Sequence, residues 1–262
     1  PSGLEVLAEY SRGFSTSFTS SLRIAYGNND LTFQDVYFED ESFFPDESPI
    51  PHLFLKHLGN LNLVDLVKSF TDPYYGIRFF FFLEPTDSWG FGVDFIHLKF
   101  FLRDFGQSIR VSGTEDGQAI DEVAPIGDRL SYFSISHGVN QLGFSLMYRF
   151  LNLFPENPYL KPLRPFVSIS AGPCIPHTEI TLVDKNKEKK QVAYSFQFGF
   201  PNLGVAGTAG LRYRYSQSIG FFTEYKFTYS YLHGLYFDDD RDADAEIDFF
   251  SHHVQWGLTV VL

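Results

Sequence analysis

No run of this 262-residue sequence approaches the roughly 18 or more consecutive apolar residues that a spanning helix needs, although 44% of its residues are hydrophobic. That absence excludes a helical membrane protein. Cysteine is almost absent: Cys174 stands alone, so no internal disulfide can form, and the redox compartment is left open. Basic residues are outnumbered, with 20 Lys and Arg against 32 Asp and Glu and a formal net charge of −12. A nucleic-acid partner needs a basic stripe against its phosphates, so that class is excluded as well. The chain opens at Pro1 and not at Met, as expected of a chain that has lost a signal peptide.

Aromatic residues are what the sequence has in excess: 31 Phe, 15 Tyr and 18% aromatic overall. They crowd into alternating segments such as FFTEYKFTYSY (221–231) and YYGIRFFFF (74–82). Alternation is the period-two signature of a strand with two unlike faces. At the carboxyl end, Trp256, Leu258, Val260 and Leu262 fall on one face and His253, Gln255, Gly257 and Thr259 on the other, Val261 being the exception. Aromatics on one face and polar residues on the other suit a transmembrane β-barrel, whose outer wall is an apolar band with aromatic girdles.

Laid out by this rule, the chain is a single domain, 1–262, with an all-β fold: an eight-stranded antiparallel outer-membrane barrel. Its strands are expected at about 3–11, 73–83, 88–103, 138–152, 164–181, 199–216, 218–232 and 249–262. Short connections alternate with long ones, the arrangement of periplasmic turns and extracellular loops. The longest, 12–72, is an extracellular insertion between strands one and two. Within it SFTSSLRIAYG (17–27) and LTFQDVYF (31–38) read as strand extensions or a hairpin above the membrane, which leaves a ten-stranded count open. HLFLKHLGNLNLVDLVKSF (52–70) reads as a short amphipathic helix outside the wall. The acidic runs FEDESFFPDES (38–48) and DDDRDADAEID (238–248) read as solvated loops.

Parity then assigns faces. Leu142, Phe144, Leu146 and Tyr148 face lipid, as do Thr223, Tyr225, Phe227, Tyr229 and Tyr231. Arg78, Asp94, Arg149, Arg212, Arg214, Glu224 and Lys226 face inward. An eight-stranded interior is just wide enough for side chains, so these charges are expected to pair in a plug and not to line a channel.

All eight histidines, His52, His57, His97, His137, His177, His233, His252 and His253, fall in outer loops or at outer strand ends. Two stand out by parity. The lipid face of strand three runs Trp89, Phe91, Val93, Phe95 and on to His97 and Lys99; that of strand five runs Val167, Ile169, Ala171, Pro173, Ile175 and on to His177 and Glu179. Between them the lipid face of strand four continues upward to Asn140, and Tyr75 on strand two borders the patch. Pro173 and Pro176 suggest a bulge that would turn His177 the other way. The plainer reading of the patch is a boundary where the wall turns polar at the headgroups.

PYYGIR (73–78), GFGVDFIHLKFF (90–101), VNQLGFSLMYRF (139–150), PFVSISAGPCIPHTEI (165–180) and FTEYKFTYS (222–230) resemble, in order and spacing, the lipid A oxidase family of outer-membrane barrels over most of 73–262. The resemblance implies an enzyme of the bacterial outer membrane that oxidises the proximal glucosamine of lipid A to an aminogluconate unit with dioxygen. Such chemistry needs a base for the anomeric hydroxyl proton, for which His97 and His177 are the candidates. Glu179 would orient it and Lys99 would contact a phosphate. Dioxygen is a poor direct hydride acceptor, so a divalent redox metal on His97, His177 and Glu179 is expected. Strands three and five lie two strand spacings of about 4.8 Å apart, which strains that ligand set. Two alternatives stand beside this one. Ser136 and His137 are a loose match to the serine and histidine of outer-membrane lipid A deacylases, and a non-catalytic barrel would bind lipopolysaccharide or a partner protein through its outer loops, the acidic runs bridging through divalent cations.

Overall fold

The computed structural model describes residues 3–40, 74–135, 138–151, 153–183, 189–196, 202–237 and 240–262. In these residues the chain forms sixteen strands: β1 (Glu5–Ser15), β2 (Phe18–Tyr26), β3 (Asn29–Asp40), β4 (Tyr75–Phe82), β5 (Trp89–His97), β6 (Phe100–Phe101), β7 (Ser108–Glu115), β8 (Gln118–Pro125), β9 (Leu130–Ile135), β10 (Gln141–Arg149), β11 (Leu163–Pro173), β12 (His177–Val183), β13 (Lys189–Phe196), β14 (Leu203–Arg214), β15 (Ile219–Phe237) and β16 (Asp240–Val261). A single 3₁₀ turn, Ile126–Asp128, interrupts them.

Eight of these close into a barrel in the order β1-β4-β5-β10-β11-β14-β15-β16, and β16 returns to pair with β1 from Leu7↔Val261 to Ser15↔His253. Closure leaves no unpaired edge, which is what allows a sheet to cross a bilayer. The expected strand count is therefore correct, and the ten-stranded alternative is not what forms. The connections 83–88, 150–162 and 215–218 lie at the end of the barrel that holds Glu5 and Val261. All the additional strands lie at the other end. This asymmetry of short turns and long loops makes the protein an outer-membrane barrel with its turns in the periplasm.

The wall follows the alternation of the sequence. Trp256, Leu258, Val260 and Leu262 are exposed, while His253, Gln255 and Thr259 are buried. On β15, Tyr225 and Phe227 point out and Glu224, Lys226, Thr228 and Ser230 point in. The interior is a closed network of charges: among the described residues, Glu5, Glu9, Asp94 and Glu224 are buried together with Arg78, Arg149, Arg212 and Lys226, so four carboxylates meet four cations. Glu9 sits between Arg78 (2.5 Å) and Arg212 (2.6 Å), Arg78 also reaches Glu224 (2.5 Å), and Lys226 pairs with Asp94 at 2.6 Å. Arg149 pairs with Glu5 and lies 3.6 Å above the Phe82 ring. Among the described residues the ion-paired plug forms as expected. Arg214 departs from the expectation: it follows the inward parity, but it sits at the open mouth with its side chain 41% exposed.

Above the membrane the pattern inverts. β2 pairs with the outer part of β16, β3 with β2, and the sheet continues through β6, β9, β12 and β13. This upper storey encloses an apolar core that includes Phe18, Leu22, Phe33, Phe38, Phe100, Phe133, Ile180, Leu232, Ile247 and Phe249. Phe18, Phe100 and Phe249 meet ring to ring at 4.3–5.1 Å. A polar interior within lipid and an apolar one within water each follow from the solvent outside, since only the face turned away from the solvent can differ from it.

Several expectations are corrected here. The hairpin expected within 12–72 is present as β2 and β3, whereas 104–137 holds strands that were not expected, the hairpin β7–β8 and strand β9. The described part of the acidic run 238–248 is no loop: it belongs to β16, with Ala243, Ala245, Ile247 and Phe249 buried and Asp244, Glu246 and Asp248 on the outer face against Arg23 and His233. The strand expected at 164–181 breaks after Pro173 and resumes at His177 as β12. The proposed amphipathic helix at 52–70, His52, His57, Ser136, His137 and the acidic positions 41–48 lie outside the described residues.

Candidate functional site

The register of the wall brings Arg12, Tyr75, His97 and Asn140 to one height on four neighbouring strands. Arg12 of β1 is opposite Tyr75 of β4, and Tyr75 is opposite His97 of β5. Gln141 is opposite Ile96, which sets Asn140, one residue before β10, beside His97. All four are half-buried and have the outward parity. Tyr75 stacks on the His97 ring, with centroids 5.0 Å apart and planes 27° from parallel.

The contact between His97 and Asn140 fixes a tautomer. Asn140 Nδ2 donates to the carbonyls of Gly138 (3.1 Å) and Ile175 (2.9 Å). Both amide hydrogens are thereby used, so the Asn140 oxygen must be the group facing His97 Nδ1, at 2.7 Å. An amide oxygen only accepts, so Nδ1 carries the hydrogen and, in the neutral ring, Nε2 carries the lone pair. The backbone is shaped to allow this. Asn140 has φ +50° and Gly138 φ +91°, and a β-carbon at Gly138 would come within 2.5 Å of the His97 ring. Only glycine lets the turn pass so close.

His177 joins through the backbone, its N–H donating to the Gly138 carbonyl at 3.2 Å, while the Ile175 N–H bonds to Val139 and Asn140 carbonyls. Its side chain has the outward parity of Glu179 but is buried, with Nδ1 3.9 Å from the Glu179 carboxylate. At Pro173–Pro176 the strand breaks outright where a bulge was expected, and beyond the break His177 keeps the parity of Glu179. Lys99 lies half-buried two residues beyond His97, past the end of β5.

The six expected residues therefore do not form one patch: His97, Asn140 and Tyr75 come together on the wall, the buried His177 lies near Glu179 on β12, and Lys99 lies beyond the end of β5. The expected metal set does not assemble. Among the described residues no three His, Cys, Asp or Glu side chains are gathered closely enough to hold a metal ion, and His97 commits one ring nitrogen to Asn140. The strand spacing that strained this ligand set is not overcome. Arg12 was missed because strand one was ended at residue 11. Its strand alternation, Glu5, Leu7, Glu9 and Ser11 in with Arg12 out, was legible had the strand been extended.

No protein-family profile matches the chain, and no curated protein matches it in sequence. Among solved structures it is similar to the outer membrane protease OmpT from Escherichia coli, at 8% identity over 98% of this chain and 97% of that one, with a TM-score of 0.41. Neisserial surface protein A is similar at 9% identity over 97% and 96%, with a TM-score of 0.30. The attachment invasion locus protein Ail of Yersinia pestis, solved with the heparin analogue sucrose octasulfate, is similar at 9% identity over 98% and 99%, with a TM-score of 0.32. Likenesses this faint carry nothing about activity. The barrel assignment stands on closure, alternation and the plug.

Proposed function

We propose that the barrel engages lipid A of the outer leaflet on its outer wall, and that His97 is the base in an oxidation of the proximal glucosamine. The observation that carries this reading is the Asn140–His97 contact: an imidazole with its tautomer fixed and its basic nitrogen assigned to Nε2, held on the lipid-facing side of the wall where the apolar band ends. With the interior filled by ion pairs, a substrate must come from the side, and the molecules that meet this wall are outer-leaflet lipids. Arg12 at the same level, and Lys99 two residues further out, supply cations for phosphate or carboxylate on the sugar headgroup. His97 would take the proton of the anomeric hydroxyl. The C1 hydride, which carries both electrons of the oxidation, passes to dioxygen; joined by the proton taken up at His97 it leaves as hydrogen peroxide, and the resulting lactone opens with water to the aminogluconate. The metal expected from the resemblance finds no ligand set in His97, His177 and Glu179, so no step is assigned to it.

The upper storey, built from β2, β3, β6, β9, β12 and β13 above the wall, favours a second reading, a non-catalytic barrel that binds lipopolysaccharide, or a partner protein, through that storey. Binding of purified lipid A by the barrel in detergent, compared with Arg12→Gln and His97→Ala, tests what the two share. The lipid-wall reading expects Arg12→Gln to weaken binding severalfold and His97→Ala to leave it nearly intact. Unchanged affinity in Arg12→Gln would remove the headgroup from this site and leave the upper storey as the binding surface.

A further inference from the structure

The opposite end of the barrel carries a second concentration of chemistry that the lipid-facing site does not use. At the periplasmic mouth a recess of about 240 Å³ is lined by Arg149, Arg164, Arg212 and Arg214, with Glu5 the one carboxylate in its wall. Two of the arginines are accounted for by the plug, Arg149 by Glu5 and Arg212 by Glu9. The other two are not. Arg214 stands 3.7 Å from a Glu5 carboxylate already engaged by Arg149, and its remaining partners are the carbonyls of Ser216 and Gln217. Among the described residues the hydrogen bonds of Arg164 go to the carbonyls of Lys161 and Leu163.

The register sharpens the imbalance. Arg164 is directly opposite Arg212 across the β11–β14 ladder, and Arg214 follows two residues later on the same face. Like charges directly opposite one another in a sheet repel. The interior below closes at four carboxylates and four cations, so Arg164 and Arg214 are an excess of two charges concentrated in a concave, partly desolvated mouth. Such a shape focuses their field on whatever enters, and guanidinium forks match the oxygens of phosphate bidentately. A bound anion would turn the Arg164–Arg212 opposition into a bridge.

We propose that this periplasmic recess is a binding site for a phosphate group, held between Arg164 and Arg214 and backed by Arg149 and Arg212. It is independent of the lipid A reading. The same chemistry is offered by free inorganic phosphate in the periplasm and by the phosphodiester of an inner-leaflet phospholipid headgroup. Two arms separate them. In the first, the purified barrel in an uncharged detergent is titrated calorimetrically with inorganic phosphate. In the second, the barrel is reconstituted in phosphatidylglycerol vesicles, re-extracted, and weighed by native mass spectrometry for retained lipid. Each is repeated with Arg164→Gln/Arg214→Gln, whose fold is checked by heat-modifiable migration, since neither residue belongs to the paired interior. Phosphate affinity at least tenfold weaker in the double variant supports the site with a free anion as occupant. Retained phosphatidylglycerol that the double variant loses supports it with a lipid headgroup. Equal behaviour of wild type and variant in both arms, or no binding of either probe by the wild type, would overturn the proposal.

Discussion

Replacing Glu9 by Gln should be among the most damaging conservative changes this barrel can suffer. Its carboxylate is fully buried and receives Arg78 at 2.5 Å, Arg212 at 2.6 Å and the Thr259 hydroxyl at 2.5 Å. Gln keeps the volume and some of the hydrogen bonds but removes the charge. Arg78 retains Glu224 at 2.5 Å, so the loss falls chiefly on Arg212, which has no second carboxylate among the described contacts. Removing one member of a buried pair costs about 3–5 kcal/mol, and the surviving Arg78–Glu224 pair puts Glu9→Gln at the low end, about 3 kcal/mol. Asp30→Asn is the control. Its partner Arg23 is one-third exposed and keeps Glu246 at 3.0 Å, so less than about 1 kcal/mol should be lost. Urea unfolding in lipid vesicles, followed by fluorescence of the lipid-facing Trp89 and Trp256, reads both. The double variant Glu9→Gln/Arg212→Met should recover much of the loss, because the orphaned cation goes with its partner. Equal small losses for Glu9→Gln and Asp30→Asn, or a double variant worse than the sum of its parts, would refute the paired-plug account.

Leu258→Arg places a cation on the lipid face, where Leu258 is 47% exposed, and should cost roughly 2–4 kcal/mol if it lies near the midplane; assembly yield in the membrane fraction checks it. Gly138→Ala drives a methyl group into the His97 ring and strains a φ of +91°, so it should weaken any activity at the wall while heat-modifiable migration is kept. Ile247→Asp, in the apolar core of the upper storey, should open that storey to proteases and leave the membrane barrel intact. In planar bilayers the wild type should show no steady ion conductance.

The barrel wall was legible because lipid outside and charge inside force strict alternation, and an alternating strand betrays both faces. The same rule was applied too narrowly above the membrane. In DADAEID the alanines and Ile247 alternate with acids as plainly as in any wall strand, but the charge density suggested a loop; the structure shows a strand whose small apolar face meets Phe18 and Phe249. Glu5 and Glu9 share the inward face of β1 with Ser11, but which cations they meet depends on how closure sets β1 between β4 and β16. At the candidate site, parity put His97, Asn140 and Tyr75 on the outer face, but parity carries no information on height or rotation across strands. The Asn140–His97 hydrogen bond and the separation of His177 from it depend on register and on the turn at Gly138, which only the folded chain defines.

The most direct test of the proposed function is the mass spectrum of lipid A from aerobic outer-membrane-bearing cells that produce the protein, its His97→Ala variant or neither. The proposal predicts a species heavier by one oxygen with the wild type, and its absence from cells with His97→Ala at equal barrel content. Identical spectra in all three would contradict it and leave a binding barrel, and an oxygen gain that persists in His97→Ala would move the chemistry away from this wall.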